Sequence, residues 1–149
     1  MPRRADEVIE AVIADDDERF RRVVAAIVGA EADMVVAGQA ADGAEAVAVA
    51  SAVVPDVVLL DVAMPGTDGI EAARSIAQWL PTATVVMLTV SDEEDDVYKA
   101  LRAGAGGYLL KDTALVDIAA SIRTAASGQA VLSPTMAAKL VEDFARPIP

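Results

Sequence analysis

Residues 55–69 read P-D-V-V-L-L-D-V-A-M-P-G-T-D-G. The apolar run Val57 to Leu60 lies between Pro55 and a Pro-Gly turn signal, the pattern of a strand buried on both faces. Asp61 stands where that strand runs out. A carboxylate there is costly unless it is paired, hydrogen-bonded or solvated, so its partners must come from elsewhere in the chain. Capping a following helix is the ordinary task of such an acid. Asp68, just before Gly69-Ile70-Glu71 and the next amphipathic run, is better placed for it.

Outward from this stretch, strand and helix signals alternate. Ala11 to Ala14 is a short apolar strand ending in Asp15, Asp16 and Asp17. Phe20, Val23, Val24, Ile27 and Val28 then recur with helical spacing up to Gly29. Met34 to Ala37 reads as a second strand, and Asp42-Gly43 opens a helix through about Ala52. After Asp68, Ile70, Ala73, Ile76 or Ala77, and Leu80 share one helix face until Pro81. Thr84 to Val90 is a fourth buried strand. Ser91-Asp92-Glu93-Glu94 forms a capping box, with Val97, Ala100 and Leu101 facing inward. Gly104 to Gly107 breaks that helix, and Tyr108 to Leu110 is a fifth strand ending at Lys111. Leu115, Ile118, Ala119 and Ile122 mark a fifth helix closed by Gly128. Ser133-Pro134 pairs an N-cap with a first-turn proline, and Met136, Leu140, Val141 and Phe144 trace a short extra helix. Five strand-helix units predict an α/β fold: a doubly wound five-stranded parallel sheet with helices on both faces.

At 149 residues the chain suits one domain, and its 54% hydrophobic share suits a packed core. The absence of cysteine excludes a disulfide framework and thiolate chemistry. Met1 to Ala11 carries Arg3 and Arg4 but lacks the apolar block of a secretory signal, and no run is long and apolar enough for a membrane span. A cytoplasmic, membrane-free protein is the expectation. A net charge of -12 repels phosphate backbones, so this chain alone should not bind nucleic acid. It does suit metal cations.

In such a sheet every strand's carboxyl end opens on one edge, and ligands bind where strand order reverses. A flavodoxin-like order 2-1-3-4-5 sets strand 1 beside strand 3, about 4.8 Å away. Asp15 or Asp16 then comes within one cation's reach of Asp61. Thr89 lies near the end of strand 4, and Lys111 lies two strands from Asp61, about 10 Å by the same spacing. Three carboxylates, a hydroxyl and an ammonium assemble in a chain without histidine. Such crowding of like charge needs a proton or a divalent ion, and oxygen-only ligands suit Mg²⁺ and bound phosphate. Asp61 would be the nucleophile, forming an aspartyl phosphate. Mg²⁺ and Lys111 would neutralise the transferred oxygens, and the Thr89 hydroxyl would donate a hydrogen bond.

With these residues in order, the chain resembles the receiver domain of a two-component response regulator. The resemblance runs from about Ala11 to Gly128, through I-A-D-D-D, V-V-L-L-D-V-A-M-P-G-T-D-G, V-V-M-L-T-V-S and A-G-A-G-G-Y-L-L-K-D. It implies that Asp61 is the phosphoacceptor, that Asp16 binds Mg²⁺ directly and that Asp15 orients metal-bound water. The third protein ligand would be the backbone carbonyl of Ala63. Thr89 and Tyr108 match the pair whose rearrangement reports phosphorylation, Lys111 matches the phosphate-binding lysine, and the donor would be a sensor histidine kinase. Only self-phosphotransfer and autodephosphorylation are implied, not turnover.

The G-Y-L-L-K-D string and the Ser133-Pro134 helix are similar to the NarL/FixJ subgroup, in which a DNA-binding helix-turn-helix follows the linker. Residues 1–128 are therefore expected to form the receiver and 129–149 a linker whose output domain is absent, as in an excised domain or, more rarely, a stand-alone one. DNA would be reached only through that missing part, and a homodimer is a further candidate assembly. Two positions depart from the family. Asp112 replaces a frequent proline, so no cis peptide is expected there, and Ala63 has no side chain to position attacking water. Two rival functions stand beside the switch. An Asp-nucleophile phosphatase of the haloacid-dehalogenase type needs a second acid two residues after the first, where this chain has Ala63. A constitutive interaction module would leave the intact Asp, Thr and Lys positions without a purpose. For Tyr108 the plainer alternative is an aromatic packed at a strand start, and for the acidic run Asp92 to Asp96 a solvated helix start.

Overall fold

Alternating apolar strands and amphipathic helices lay down the expected succession. The protein is seen in a computed structural model that describes residues 7–64, 69–90, 99–132, 137–138 and 141–142, without the side chains of residues 112–114. In chain order these form β1 (Ile9–Ala14), α1 (Glu18–Gly29), β2 (Met34–Ala40), α2 (Gly43–Val53), β3 (Val57–Asp61), α3 (Gly69–Trp79) and β4 (Thr84–Thr89). Then come α4 (99–102), β5 (Gly107–Leu110), α5 (Lys111–Ala126) and β6 (Val131–Leu132). The strands lie in the order β2-β1-β3-β4-β5-β6, all paired parallel.

The 2-1-3-4-5 order is thus present, with one strand more than the sequence pattern shows. Val131 and Leu132 pair with Gly107 and Tyr108, but two apolar residues carry no periodicity to announce a strand. Gly107 permits the approach: a Cβ there would lie 2.7 Å from Val131 Cβ and 2.9 Å from its carbonyl oxygen.

β3 is buried along its whole length, as a central parallel strand should be. One sheet face packs Val58 and Leu60 against Ala46 and Ala50 of α2, Ala72, Ala73 and Ile76 of α3, and Ala100 of α4. The other packs Ile13, Val57 and Leu59 against Val24 and Val28 of α1 and Ile118, Ile122 and Ala125 of α5. Small alanines bring α2 and α3 close to the sheet, while branched residues fill the α1 and α5 side.

Local differences have local causes. β1 begins at Ile9 rather than Ala11, because backbone pairing with Met34 does not need an unbroken apolar run. β2 continues to Ala40 through a bulge at Ala37, where Ala11 faces Val36 but Val12 faces Gly38. Val23 is 45% exposed, so the inward stripe of α1 is carried by Val24 and Val28. Val141 is 69% exposed rather than packed. Asp68, the Ser91 capping box, Asp92 to Asp96, Val97, Ser133-Pro134, Met136, Leu140 and Phe144 lie outside the described residues.

The approach of α3 to the end of β3 decides where Asp61 sits. The Gly69 N–H donates to the Val62 carbonyl over 3.0 Å. A Cβ on Gly69 would overlap the Asp61 carbonyl oxygen and lie 2.7 Å from Val62 Cα, both backbone atoms that cannot rotate away. Gly69→Ala is therefore expected to lower unfolding stability by about 1 to 3 kcal/mol, the usual cost of overpacking. Urea unfolding measures this, and an unchanged midpoint would contradict the close contact.

Candidate functional site

Parallel pairing brings the carboxyl ends of β1, β3, β4 and β5 to one edge, and each of these strands ends at or beside a polar residue. Asp15 follows β1 and is fully buried. Its N–H donates to the Ala40 carbonyl over 3.0 Å, and its own carbonyl accepts from Arg21 Nη1 at 2.7 Å. Asp15 Oδ1 accepts the Asp17 N–H at 2.8 Å. Asp17 is the N-cap of α1, accepting from the N–H groups of Arg19 at 3.0 Å and Phe20 at 3.3 Å. Asp16, between the two, is exposed.

Asp61 closes β3 at 5% exposure, and its Oδ1 accepts the Ala63 N–H at 3.2 Å. Lys111, the first residue of α5, sends its Nζ to 2.6 Å from Asp15 Oδ2 and 3.2 Å from Asp61 Oδ2. Carboxylate oxygens of Asp15, Asp16 and Asp61 lie within 4.8 Å of one another. The convergence expected from strand order is therefore present, and the lysine does span the gap. Thr89 ends β4, buried, and pairs in register with Leu110, the residue before Lys111. Ala63 is exposed. Tyr108 is fully buried beside its strand partner Met87, in the core of the α2 and α3 face.

Two residues beside the site carry no motif in the sequence. Phe20 fits the apolar stripe of α1, yet its ring centroid lies 4.8 Å from Lys111 Nζ. Arg21, six residues after Asp15, gives no motif, yet it ties the Asp15 carbonyl to Gln39 on β2, whose Oε1 it reaches at 3.2 Å.

Burial, and then the Asp15 charge, push the Asp61 carboxyl up to about 6, against the opposing pull of Lys111 and the Ala63 N–H. Burial acts on Lys111 toward the neutral amine, but its contacts with Asp15 and Asp61 outweigh that and raise its pKa. Two buried carboxylates share one ammonium, so the pocket keeps surplus negative charge. Asp15 Oδ2 is fully buried, and the Lys111 ammonium at 2.6 Å is the contact made to it. An oxygen-only set of three carboxylates converging within 4.8 Å, with one ammonium between two of them, fits a hard divalent cation such as Mg²⁺.

The family model described as response regulator receiver domain matches residues 11–123. The chain is 42% identical over 138 residues to the uncharacterized transcriptional regulatory protein YxjL of Bacillus subtilis (strain 168), covering 93% of this chain and 63% of that protein. It is 39% identical over 134 residues to the transcriptional regulatory protein LiaR of the same organism, covering 90% of this chain and 64% of LiaR. The chain thus spans a little under two thirds of the length of these curated relatives. A solved structure of a LuxR-family two-component response regulator from Aurantimonas sp. SI85-9A1 superposes with a TM-score of 0.86 at 28% identity, over 94% of this chain and 100% of that one.

The raised Asp61 pKa makes stability depend on pH. The folded state holds this proton more tightly than the unfolded chain, whose value is near 3.8. The stabilisation is fully present below pH 4 and lost as pH rises through about 6, a difference of about 3 kcal/mol between the two limits. In EDTA, Asp61→Asn should therefore be more stable than the native chain at pH 7, by up to about 3 kcal/mol, with the advantage vanishing near pH 4. Urea unfolding at the two pH values tests this, and equal stability at pH 7 would contradict it.

Proposed function

The chain belongs to the response regulator receiver family, and on that premise we propose that it is a phosphorylation-controlled switch charged on Asp61 by a sensor histidine kinase. The observation that carries this reading is the Lys111 ammonium held 2.6 Å from Asp15 and 3.2 Å from Asp61 at the mouth of parallel strands. In the transfer, an Asp61 carboxylate oxygen attacks phosphorus, the new O–P bond forms and the bond to the donor histidine nitrogen breaks. Lys111 stabilises the transferred oxygens, and the Thr89 hydroxyl donates to one of them.

Asp16, Asp61 and the Ala63 carbonyl would hold Mg²⁺, with Asp15 orienting a metal-bound water. When bound, the ion neutralises phosphoryl charge and brings the buried acids into their ionised form. Lys111 also favours ionised Asp61, the form able to attack. Ala63 offers no side chain to direct water at the product, so hydrolysis falls to the remaining residues. The chemistry is self-phosphotransfer followed by autodephosphorylation, without turnover on outside substrates.

Tyr108 already occupies the interior. The signal is then a change in how firmly Thr89 and Tyr108 hold that state, read out on the face built from α4, β5 and α5. Moving such an equilibrium from 1:99 to 99:1 takes about 5.5 kcal/mol of differential interaction, which charge-assisted bonds to a phosphoryl group can supply. Residues 1–128 form the receiver and 129–149 the linker, with β6 carrying the sheet into the linker's first residues. The output is a helix-turn-helix domain beyond this chain, as its match to transcriptional regulators suggests, and a homodimer is a natural route to paired DNA half-sites. No described helix is long and apolar enough to cross a membrane, in keeping with a cytoplasmic partner of the kinase.

Intact-mass analysis after acetyl phosphate and Mg²⁺ tests the reading. The native chain should gain one phosphoryl mass, Asp61→Asn none, and Lys111→Met far less than native. An unlabelled native chain would favour a constitutive interaction module instead.

A further inference from the structure

Four contacts at the start of α1 close a circuit on one carboxylate. Asp15 Oδ1 accepts the Asp17 N–H at 2.8 Å. Asp17 Oδ1 accepts the Phe20 N–H at 3.3 Å. The Phe20 ring lies 4.8 Å from the Lys111 ammonium, within the range of an attractive cation–π contact. That ammonium returns to Asp15 Oδ2 at 2.6 Å. The helix cap, the aromatic ring and the lysine are thereby locked to the same acid by its two oxygens.

We propose that Phe20 is a positioning residue that pins Lys111 on Asp15 and Asp61 in the metal-free domain, and so sets how strongly the ammonium competes with a divalent cation for the acidic pocket. The competition follows from charge. An ammonium seated on Asp15 Oδ2 repels a cation entering among Asp15, Asp16 and Asp61, so whatever holds the lysine there opposes metal entry. The ring is suited to that task. Its face carries negative quadrupole charge, and the Lys111 side chain is 14% exposed, so solvent screens the contact only weakly. Phe20 also packs against the α1 and α5 core, which fixes the ring while leaving it partly open. A leucine there would keep the apolar packing and lose the ring face. The competition half of the proposal rests on reading the three acids as a magnesium site; the pinning of Lys111 does not.

The test is a double-mutant cycle with two readouts on the native chain, Phe20→Leu, Phe20→Tyr, Lys111→Met and Phe20→Leu/Lys111→Met. The first readout is MgCl₂ titration by calorimetry. Phe20→Leu should bind Mg²⁺ roughly threefold to tenfold more tightly than native, Phe20→Tyr should match native, and Phe20→Leu should change nothing in the Lys111→Met background. The second readout is unfolding in EDTA, where the Phe20 and Lys111 substitutions should be non-additive. Native affinity in Phe20→Leu, or the same gain in the Lys111→Met background, overturns the competition. Additive unfolding effects in EDTA overturn the pinning. If the native chain shows no saturable Mg²⁺ binding, the magnesium reading and the competition fall together, while the EDTA cycle still decides the pinning.

Discussion

Everything at the carboxyl edge of the sheet depends on two buried carboxylates, Asp15 and Asp61, sharing the Lys111 ammonium. An unpaired acid in such a place would be neutralised or solvated at considerable cost. One ammonium cannot offset two charges, and burial first, then the Asp15 charge, raise the Asp61 pKa. The fold carries this strain because its centre is so apolar: β3 is buried throughout and both sheet faces are covered. Like-charge crowding lowers stability, and here it also creates the attraction for a cation. A functional site that opposes the rest of the fold energetically is a common compromise.

Three unrelated pieces of backbone make that sharing possible. Parallel pairing of Ala14 with Leu60 sets the following Asp15 and Asp61 side by side on adjacent strands. Gly69 lets α3 start against the Asp61 carbonyl. Lys111 enters from the junction of β5 and α5, where the helix begins with no loop and no side-chain cap. α5 itself is kinked at Asp117, which has non-helical angles of φ -119 and ψ 21. Beyond the kink, Ile118, Ile122 and Ala125 anchor the helix in the core, and Arg123 pairs with Asp33 and Glu31 in the turn before β2. Hydrogen bonding to Arg123 holds the Asp33 carboxyl below its usual value. The lysine thus sits on the short arm of a helix whose longer arm is fastened to the opposite end of the sheet.

The meeting of Asp15, Asp16, Asp61 and Lys111 could be read from the sequence because each ends an apolar run, and strand order alone then brings them together. The same reasoning placed Thr89 at the edge. It could not see Phe20 or Arg21, whose helical spacing marks them only as an inward and an outward residue of α1. Their contacts with Lys111 and Asp15 depend on side-chain reach in three dimensions. β6 and the bulge at Ala37 escaped for a related reason: backbone pairing, not side-chain periodicity, defines them. Val23 and Val24 both fit a broad apolar stripe by spacing, and only the depth of the sheet surface leaves Val23 exposed and Val24 buried.

The central claim is that acids from β1 and β3 converge on one cation. The most direct measurement is anomalous diffraction from crystals of the chain soaked in Mn²⁺, which takes oxygen ligands as Mg²⁺ does. The account predicts a single strong peak among Asp15, Asp16 and Asp61, coordinated by Asp16 and Asp61, with Lys111 withdrawn from Asp15. A site free of manganese with Lys111 still bridging Asp15 and Asp61, or a peak elsewhere on the acidic surface, would contradict it.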